Sequence, residues 1–172
     1  NLWVVNIDGT GLLPLYTGEI DASYIFANDH VSNRFGLTFI PFSPDGSQIV
    51  LPICIAGPGQ CFQDNFALYL IPTNGNGIVP ITAVGDGVSE TEPQFDPSGT
   101  KINFVNLTQD GYGIATMNID GSGRQVLTDG NFGGHLASYS RDGSKITFTS
   151  LRDDIPNGQG EIFVMNADGS NE

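Results

Sequence analysis

The feature that most constrains this sequence is a pair of short turn motifs that alternate along its 172 residues. The first motif is an apolar run that ends in Asp-Gly or Asn-Gly. Its turn glycines are Gly9, Gly75, Gly121 and Gly169. The second motif is an aromatic residue, a tight turn and an alternating strand. Its copies are residues 42–51, 95–104 and 139–148. Both motifs predict β-hairpins, because such turns require positive φ and glycine adopts it freely.

The spacing of the two motifs defines a repeat. The turn glycines of the first motif are 66, 46 and 48 residues apart, and those of the second are 53 and 44 residues apart. Each period therefore holds two hairpins, which is four strands. A four-stranded repeat of roughly 40–50 residues is typical of a β-propeller blade. Since helical periodicity is absent, we predict an all-β fold of four-stranded antiparallel blades.

The motifs also resemble a known repeat. Phe-Ser-Pro-Asp-Gly-Ser at 42–47 alternates with Ile-Phe-Val-Met-Asn-Ala-Asp-Gly-Ser-Asn at 162–171, and this alternation is similar to the repeats of TolB-like β-propellers. The resemblance covers nearly the whole chain and implies a propeller fold. Trp is usual in that family where this chain has Phe42, Phe95 and Tyr139.

If the strands of a blade are called A to D, the chain reads C-D, A-B-C-D, A-B-C-D, A-B-C. We expect a single domain over residues 1–172, with a little over three blades. The expected repeats are approximately 2–36 (partial), 37–90, 91–134 and 135–172 (partial). These blades do not close a ring unaided, since closed propellers need about 4 to 8.

The open ends of such a segment leave strand edges exposed, which invites pairing with another chain. Two interpretations follow. The chain is a fragment of a longer, six-bladed propeller, or copies complete each other as a ring or a filament. Because the chain begins with Asn1 rather than Met, we expect a piece of a longer translation product.

The charge balance restricts the class of partner. Nineteen acidic residues face six basic ones, which gives a net charge of −13. Such a charge disfavours nucleic acids and anionic membrane surfaces, and it favours a basic protein or cations. No apolar run approaches the roughly 18 residues of a membrane span, and no signal peptide is visible. We therefore expect neither nucleic-acid binding nor membrane insertion.

Strand direction predicts where binding occurs. The short A–B and C–D turns lie at one face, and the longer B–C and D–A connections lie at the other, where function is common. We predict an acidic binding face on these long loops for a basic partner or divalent cations. Its candidate residues are Asp21, Asp29, Glu90, Glu92, Asp153 and Asp154. The alternative is an acidic surface that only maintains solubility.

Two further candidates concern covalent modification. Cys54 and Cys61 bracket a Gly-Pro-Gly turn, so they form a candidate disulfide that would indicate an oxidising compartment. Two separate thiols are the alternative. Asn106 begins an Asn-Leu-Thr sequon and is a candidate glycosylation site if the source organism glycosylates secreted proteins.

The sequence contains none of the catalytic or metal-binding motifs that would indicate an enzyme or a metal site. Neither His30 nor His135 has metal-ligand spacing, no Gly-x-Ser-x-Gly elbow occurs, and no segment fits a twelve-residue calcium loop. His135 is expected in a loop. We therefore predict no catalytic residue, no metal ligand and no cofactor, with structural calcium as a minor alternative. The aromatic residues Trp3, Phe42, Phe95 and Tyr139 are expected to pack between blades.

The function predicted from these features is protein–protein interaction or assembly, without catalysis, in an envelope, periplasmic or extracellular protein. The predicted partner is a protein, foremost copies of the chain itself. One alternative is a propeller domain of a larger hydrolase-type enzyme that gates or binds substrate. Another is carbohydrate or ion binding on the acidic long-loop face.

Overall fold

The computed structural model describes residues 2–16, 41–54, 66–83, 89–108, 111–128, 130, 133–150 and 160–172. Within these ranges the chain forms twelve β-strands and no helix, and every strand pair is antiparallel. The strands are β1 (Leu2–Val4), β2 (Leu13–Tyr16), β3 (Gln48–Cys54), β4 (Phe66–Pro72), β5 (Val79–Pro80), β6 (Ser89–Phe95), β7 (Lys101–Thr108), β8 (Gly111–Asn118), β9 (Gln125–Val126), β10 (His135–Tyr139), β11 (Lys145–Ser150) and β12 (Glu161–Asn166). The all-β prediction is confirmed.

These strands form four sheets in chain order: β1-β2, β3-β4-β5, β6-β7-β8-β9 and β10-β11-β12. We call them sheets 1 to 4. Sheet 3 has all four strands of a blade. In sheet 2 the described residues of the first strand form a single bridge, between Phe42 and Ile49. The strand order predicted from the motifs is therefore the order found, and the described sheets are partial blades of an open propeller.

The core consists of three clusters, each lying between successive sheets. Successive side chains of a strand point to opposite sides of its sheet, so one strand contributes apolar side chains to two clusters. Ile102 and Phe104 pack toward sheet 2, while Val105 packs toward sheet 4. The first cluster contains Leu15, Ile49, Leu51, Ile53, Ala67, Tyr69 and Ile71. The second contains Val50, Leu68, Leu70, Ile102, Phe104, Ala115 and Met117. The third contains Val105, Ile114, Ala137, Ile146, Phe148 and Met165.

The aromatic positions divide into two groups. Phe95 and Tyr139 pack against the second and third clusters, as predicted. Phe42 is 51% exposed and Trp3 is 50% exposed, so the prediction that they pack between blades is wrong. Phe95 packs against the cluster shared with sheet 2 and Tyr139 against the cluster shared with sheet 3, whereas the described part of sheet 1, which precedes Phe42, has only β1 and β2. Trp3 lies on the side of sheet 1 that no other described sheet covers.

Tyr139 also makes a polar contact between sheets 3 and 4. Thr116 donates its hydroxyl proton to the carbonyl of Ile102 at 2.9 Å, so the Tyr139 hydroxyl is the donor to Thr116 Oγ1 at 3.0 Å. Burial raises the pKa of Tyr139, and the hydrogen bond to Thr116 offsets part of that effect. At the corresponding positions between sheets 2 and 3, Leu70 belongs to the second cluster and Phe95 packs against that cluster.

The first strand of sheet 3 and the first strand of sheet 4 each contain a β-bulge at the equivalent position. The register of β6 against β7 shifts between Thr91 and Gln94, and that of β10 against β11 shifts between His135 and Ser138. Glu92 and Leu136 occupy equivalent positions in these bulges, and both have a φ of 53°. Such left-handed backbone is uncommon for residues other than glycine. The bulge turns the Glu92 side chain toward the neighbouring sheet.

The turn glycines provide a matched test of how the sheets pack. Gly9 and Gly121 occupy the same turn position, with φ values of 82° and 84°. A Cβ on Gly9 would meet nothing within 4 Å, whereas a Cβ on Gly121 would clash with the carbonyl oxygen of Ile81, which directly follows β5 of sheet 2.

We expect both Gly9→Ala and Gly121→Ala to lose about 1–2 kcal/mol of stability from left-handed backbone strain. Gly121→Ala should lose a further 1–3 kcal/mol or so from overpacking. Urea unfolding monitored by circular dichroism measures both changes. Equal losses for the two variants would contradict the packing of sheet 3 on sheet 2.

Candidate functional site

Two apolar surfaces lie at opposite ends of the stack of sheets. The start face consists of Trp3, Val5 and Ile7 on sheet 1. The end face consists of Thr147, Ile162 and Val164 on sheet 4. Among the apolar members, Val5 is 50% exposed, Ile162 78% and Val164 49%, and Ile7 is fully exposed. Each sheet thus buries one side against the stack and leaves the other open.

The start face corresponds to positions that are buried elsewhere in the repeat. Counted back from the turn glycine, Trp3 matches Ala115, and Val5 matches Met117. Ala115 and Met117 are fully buried in the second cluster, where sheet 3 packs on sheet 2. The start face is therefore the surface on which a preceding sheet rests in the interior of the stack.

The residues of the end face also occupy repeat positions whose counterparts in another sheet are buried. Ile162 matches Leu68, and Val164 matches Leu70, both of which are buried against sheet 3. Thr147 pairs with Val164 across β11 and β12, so both side chains lie on one side of sheet 4. The end face is the surface that a following sheet covers in the interior. The sequence alone did not reveal either face, although the repeat alignment contained the signal.

Glu90 was predicted to lie on a long loop, but the structure places it in strand β6 and leaves only 3% of it exposed. It forms an ion pair with Arg124, whose Nη2 also donates to Asn106 Oδ1 at 2.6 Å. The guanidinium carbon lies 5.1 Å from the centre of the Phe104 ring. Glu90 therefore stabilises sheet 3 from inside, and its carboxylate is not presented to a partner.

Asn106 lies within strand β7 and is buried. Its side-chain oxygen accepts the hydrogen bond from Arg124, so the amide is held inside the sheet. A glycan on this nitrogen requires an accessible acceptor in a loop. The folded chain therefore disfavours the glycosylation predicted from the sequon.

Glu92 also belongs to strand β6 and not to a loop. Its carboxylate accepts a hydrogen bond from the backbone N–H of Leu136 at 2.7 Å, and its Oε1 lies 3.3 Å from His135 Nδ1. The His135 ring packs at 4.4 Å from the ring of Tyr112. His135 was expected in a loop, but it begins strand β10. This arrangement ties the first strands of sheets 3 and 4 together, because the bulge at Glu92 directs its carboxylate across the interface.

Several sequence candidates lie outside the described residues: Asp21, Asp29, His30, Cys61, Asp153 and Asp154. Cys54 ends strand β3, but its side chain is not described. The disulfide and the acidic long-loop face therefore stay predictions. In the described ranges, no three His, Cys, Asp or Glu side chains gather as a metal-ligand set, and no helix could cross a membrane.

The acidic residues that the structure does describe lie mainly at the short turns. Each of these aspartates accepts hydrogen bonds from a Ser or Thr nearby and from backbone N–H groups, as Asp142 does from Ser140 Oγ at 2.6 Å and Ser144 N at 3.0 Å. The turn aspartates are Asp8, Asp45, Asp96, Asp120, Asp142 and Asp168. The turn motifs of the sequence indicate these positions, and each of the six aspartates has a Ser or Thr two residues later in the chain.

The hydrogen bonds lower the pKa values of these carboxyls. The pKa of Asp45 falls to about 2, first because of the Ser43 hydroxyl and then because of Ser47. The pKa of Asp142 also falls to about 2, first because of Ser140 and then because of Ser144. Hydrogen bonds that favour the ionised form of a carboxyl stabilise the folded chain in the pH range in which that carboxyl is ionised.

Removal of Arg124 should destabilise sheet 3. We expect Arg124→Met to lose about 2 kcal/mol, because it leaves the buried Glu90 carboxylate without its cation. The loss stays below the roughly 3–5 kcal/mol of a fully buried pair because 34% of the Arg124 side chain is exposed. The double variant Arg124→Met/Glu90→Gln should recover part of it, and Arg141→Gln in an exposed turn is the control. Urea unfolding measures these chains together with Glu90→Gln alone, and additive losses in the double variant would contradict the pairing.

The turn aspartates predict how stability depends on pH. Since the pKa of Asp142 is about 2 in the folded chain and its ordinary value is 3.8, its contribution is complete only about one pH unit above 3.8 and is lost as the pH falls through 3.8 toward 2. Asp142→Asn should therefore flatten the stability profile between pH 4 and pH 2, whereas Glu161→Gln, on an exposed strand position, serves as the control. Thermal unfolding at each pH gives the profiles, and identical acid slopes for wild type and Asp142→Asn would refute the assignment.

Comparison with solved structures places this architecture among known folds. A putative TolB from Agrobacterium tumefaciens aligns with a TM-score of 0.61 and 22% identity, over 76% of this chain and 46% of that chain. A chain of a nidogen–laminin complex aligns with a TM-score of 0.57 and 17% identity, over 76% and 44%. An oligogalacturonate lyase in complex with manganese aligns with a TM-score of 0.52 and 18% identity, over 77% and 33%.

No protein-family model matches the chain. The chain spans less than half the length of each of these structures. At such identities the likeness establishes the fold, which agrees with the strand order and with the stacked sheets. The chain is therefore built of β-propeller blades, and its fold is similar to that of TolB.

Proposed function

We propose that this chain is a non-catalytic protein-interaction module that binds through its start face and its end face. One observation carries the proposal: both faces expose apolar side chains at repeat positions that are buried in the interior of the stack. Soluble proteins rarely leave contiguous apolar surface open unless it meets a partner. A large apolar side chain contributes about 1.5–3 kcal/mol when it is removed from water.

The open surface is formed by sheet sides rather than by a concave pocket. A flat side of a twisted sheet packs best against another sheet of matching twist, at a distance of about 10 Å. This geometry favours a β-sheet partner over a small molecule. Assembly, in which blade surfaces of separate chains pack together, is the form of interaction that we propose.

Catalysis is left out of the proposal for a structural reason. Glu90 and Glu92 are two carboxylates that lie close together in the chain, and both are engaged by groups of the fold. Glu90 pairs with Arg124 inside sheet 3, while Glu92 accepts from the backbone of Leu136. A general acid or base must instead reach the proton that it transfers.

We further propose a periplasmic or extracellular location. The resemblance to TolB-like propellers supports it, as does the spacing of Cys54 and Cys61 around a turn. The surplus of acidic residues keeps such a protein soluble while its apolar faces are open.

Binding of the dye 1-anilinonaphthalene-8-sulfonate tests whether the two faces are open for binding. In dilute solution we expect fluorescence to rise several-fold on the wild-type chain and to fall markedly for Trp3→Glu and for Val164→Glu. Val126→Glu is the matched control, because Val126 is exposed to a similar extent on the outer strand β9, away from both faces.

Circular dichroism and cooperative unfolding establish that each variant is folded. If the wild-type chain binds no dye, or if the three substitutions reduce binding equally, the start face and the end face are not interaction surfaces and the proposal fails.

A further inference from the structure

The turn between β4 and β5 contains Asn74-Gly75-Asn76-Gly77, so two Asn-Gly pairs follow each other directly in the chain. All four residues are exposed. We propose that Asn76 is a site of spontaneous deamidation in the folded chain, whereas the turn protects Asn74, two residues earlier. Neither the start face nor the end face takes part in this reaction.

Deamidation takes place within a single Asn-Gly pair. The backbone nitrogen of the glycine attacks Cγ of the preceding asparagine and loses its proton. A new N–C bond closes a five-membered succinimide, while the side-chain nitrogen leaves as ammonia. Water then opens the ring and leaves aspartate or isoaspartate. Glycine favours the attack because it has no side chain to obstruct the ring and its backbone is permissive, and asparagine is accordingly a thermolabile residue.

The turn holds Asn74 in a form that resists this attack. Its Oδ1 accepts a hydrogen bond from the backbone N–H of Asn76 at 3.1 Å. The nitrogen that would attack it, that of Gly75, donates to the carbonyl of Pro72 at 3.2 Å. Both hydrogen bonds must open before the Gly75 nitrogen can reach Cγ of Asn74. The folded turn therefore slows deamidation at this asparagine.

Asn76 lacks this protection. Among the described residues, neither its side chain nor the Gly77 nitrogen has a hydrogen-bond partner, and a Cβ on Gly77 would meet nothing within 4 Å. In the equivalent turn of sheet 3, Asn118 donates its backbone N–H to the Ser122 carbonyl and its Nδ2 to Ser122 Oγ, both at 2.9 Å. Pro72 stands at the position of Asn118 and can donate neither bond, so it leaves Asn76 unrestrained.

The product would alter the face that carries the short turns. Conversion of Asn76 adds one carboxylate to a face that already holds the turn aspartates, and it makes the formal net charge of −13 more negative by one. Isoaspartate would also lengthen the main chain by one carbon atom in the connection to β5.

Mass spectrometry with fragment-ion localisation measures conversion at each asparagine after incubation at mildly alkaline pH. In the folded chain we expect Asn76 to convert about tenfold faster than Asn74, because two hydrogen bonds must open at Asn74. In the urea-unfolded chain the two rates should be similar, since glycine follows both residues. Asn76→Ser should abolish the fast conversion. Asn74→Asp keeps the acceptor for the Asn76 N–H and should leave the fast conversion in place.

Three results would overturn the proposal: equal rates at the two asparagines of the folded chain, faster conversion of Asn74, or conversion of neither. A rate difference that persists in urea would also overturn it, because the difference would then arise from the local sequence and not from the turn. The pair Asn157-Gly158 lies outside the described residues, and its conversion is assigned separately in the same digest.

Discussion

The structure depends on one constraint: each of its sheets is apolar on both sides and must therefore be covered twice. In β7, Phe104 packs toward sheet 2 while Val105 packs toward sheet 4, so no sheet completes its own core. Cooperativity consequently arises between neighbouring sheets, as in other repeat folds. The same constraint leaves the outer sides of sheets 1 and 4 open, and it explains why apolar residues at those positions are exposed.

Polar residues distinguish one interface from the next. The corresponding positions between sheets 2 and 3 hold the apolar residues Leu70 and Phe95, whereas Thr116 accepts a hydrogen bond from Tyr139 between sheets 3 and 4. Tyr139 against an apolar residue would leave its hydroxyl without a partner, which costs free energy when the group is buried. Such differences favour one order of blades over others. The Glu92 carboxylate adds a second polar tie between sheets 3 and 4, made with the Leu136 backbone.

The turns, by contrast, depend on local chemistry. An aspartate that accepts hydrogen bonds from the N–H and hydroxyl groups of nearby residues stabilises its turn through local contacts, largely independently of the tertiary fold. For this reason the hairpin positions, the strand order and the all-β class followed directly from the pattern of Asp, Ser and Gly. It also explains why the described acidic residues concentrate at the short turns, where the Asp-Gly motifs of the sequence lie.

What the sequence determined by itself was the repeat: the two turn motifs, their spacing and the alternation of apolar side chains, all of which act between residues close in the chain. Only the tertiary structure decided the environment of individual polar residues. Glu90 and Glu92 were read as loop acids, yet Glu90 is buried beside Arg124, which lies 34 residues away in the chain. A bulge in β6 turns Glu92 toward sheet 4. The exposure of Trp3 and Phe42 was likewise decided by the extent of the neighbouring sheet, because the burial of a side chain depends on what packs against it and not on the residue alone.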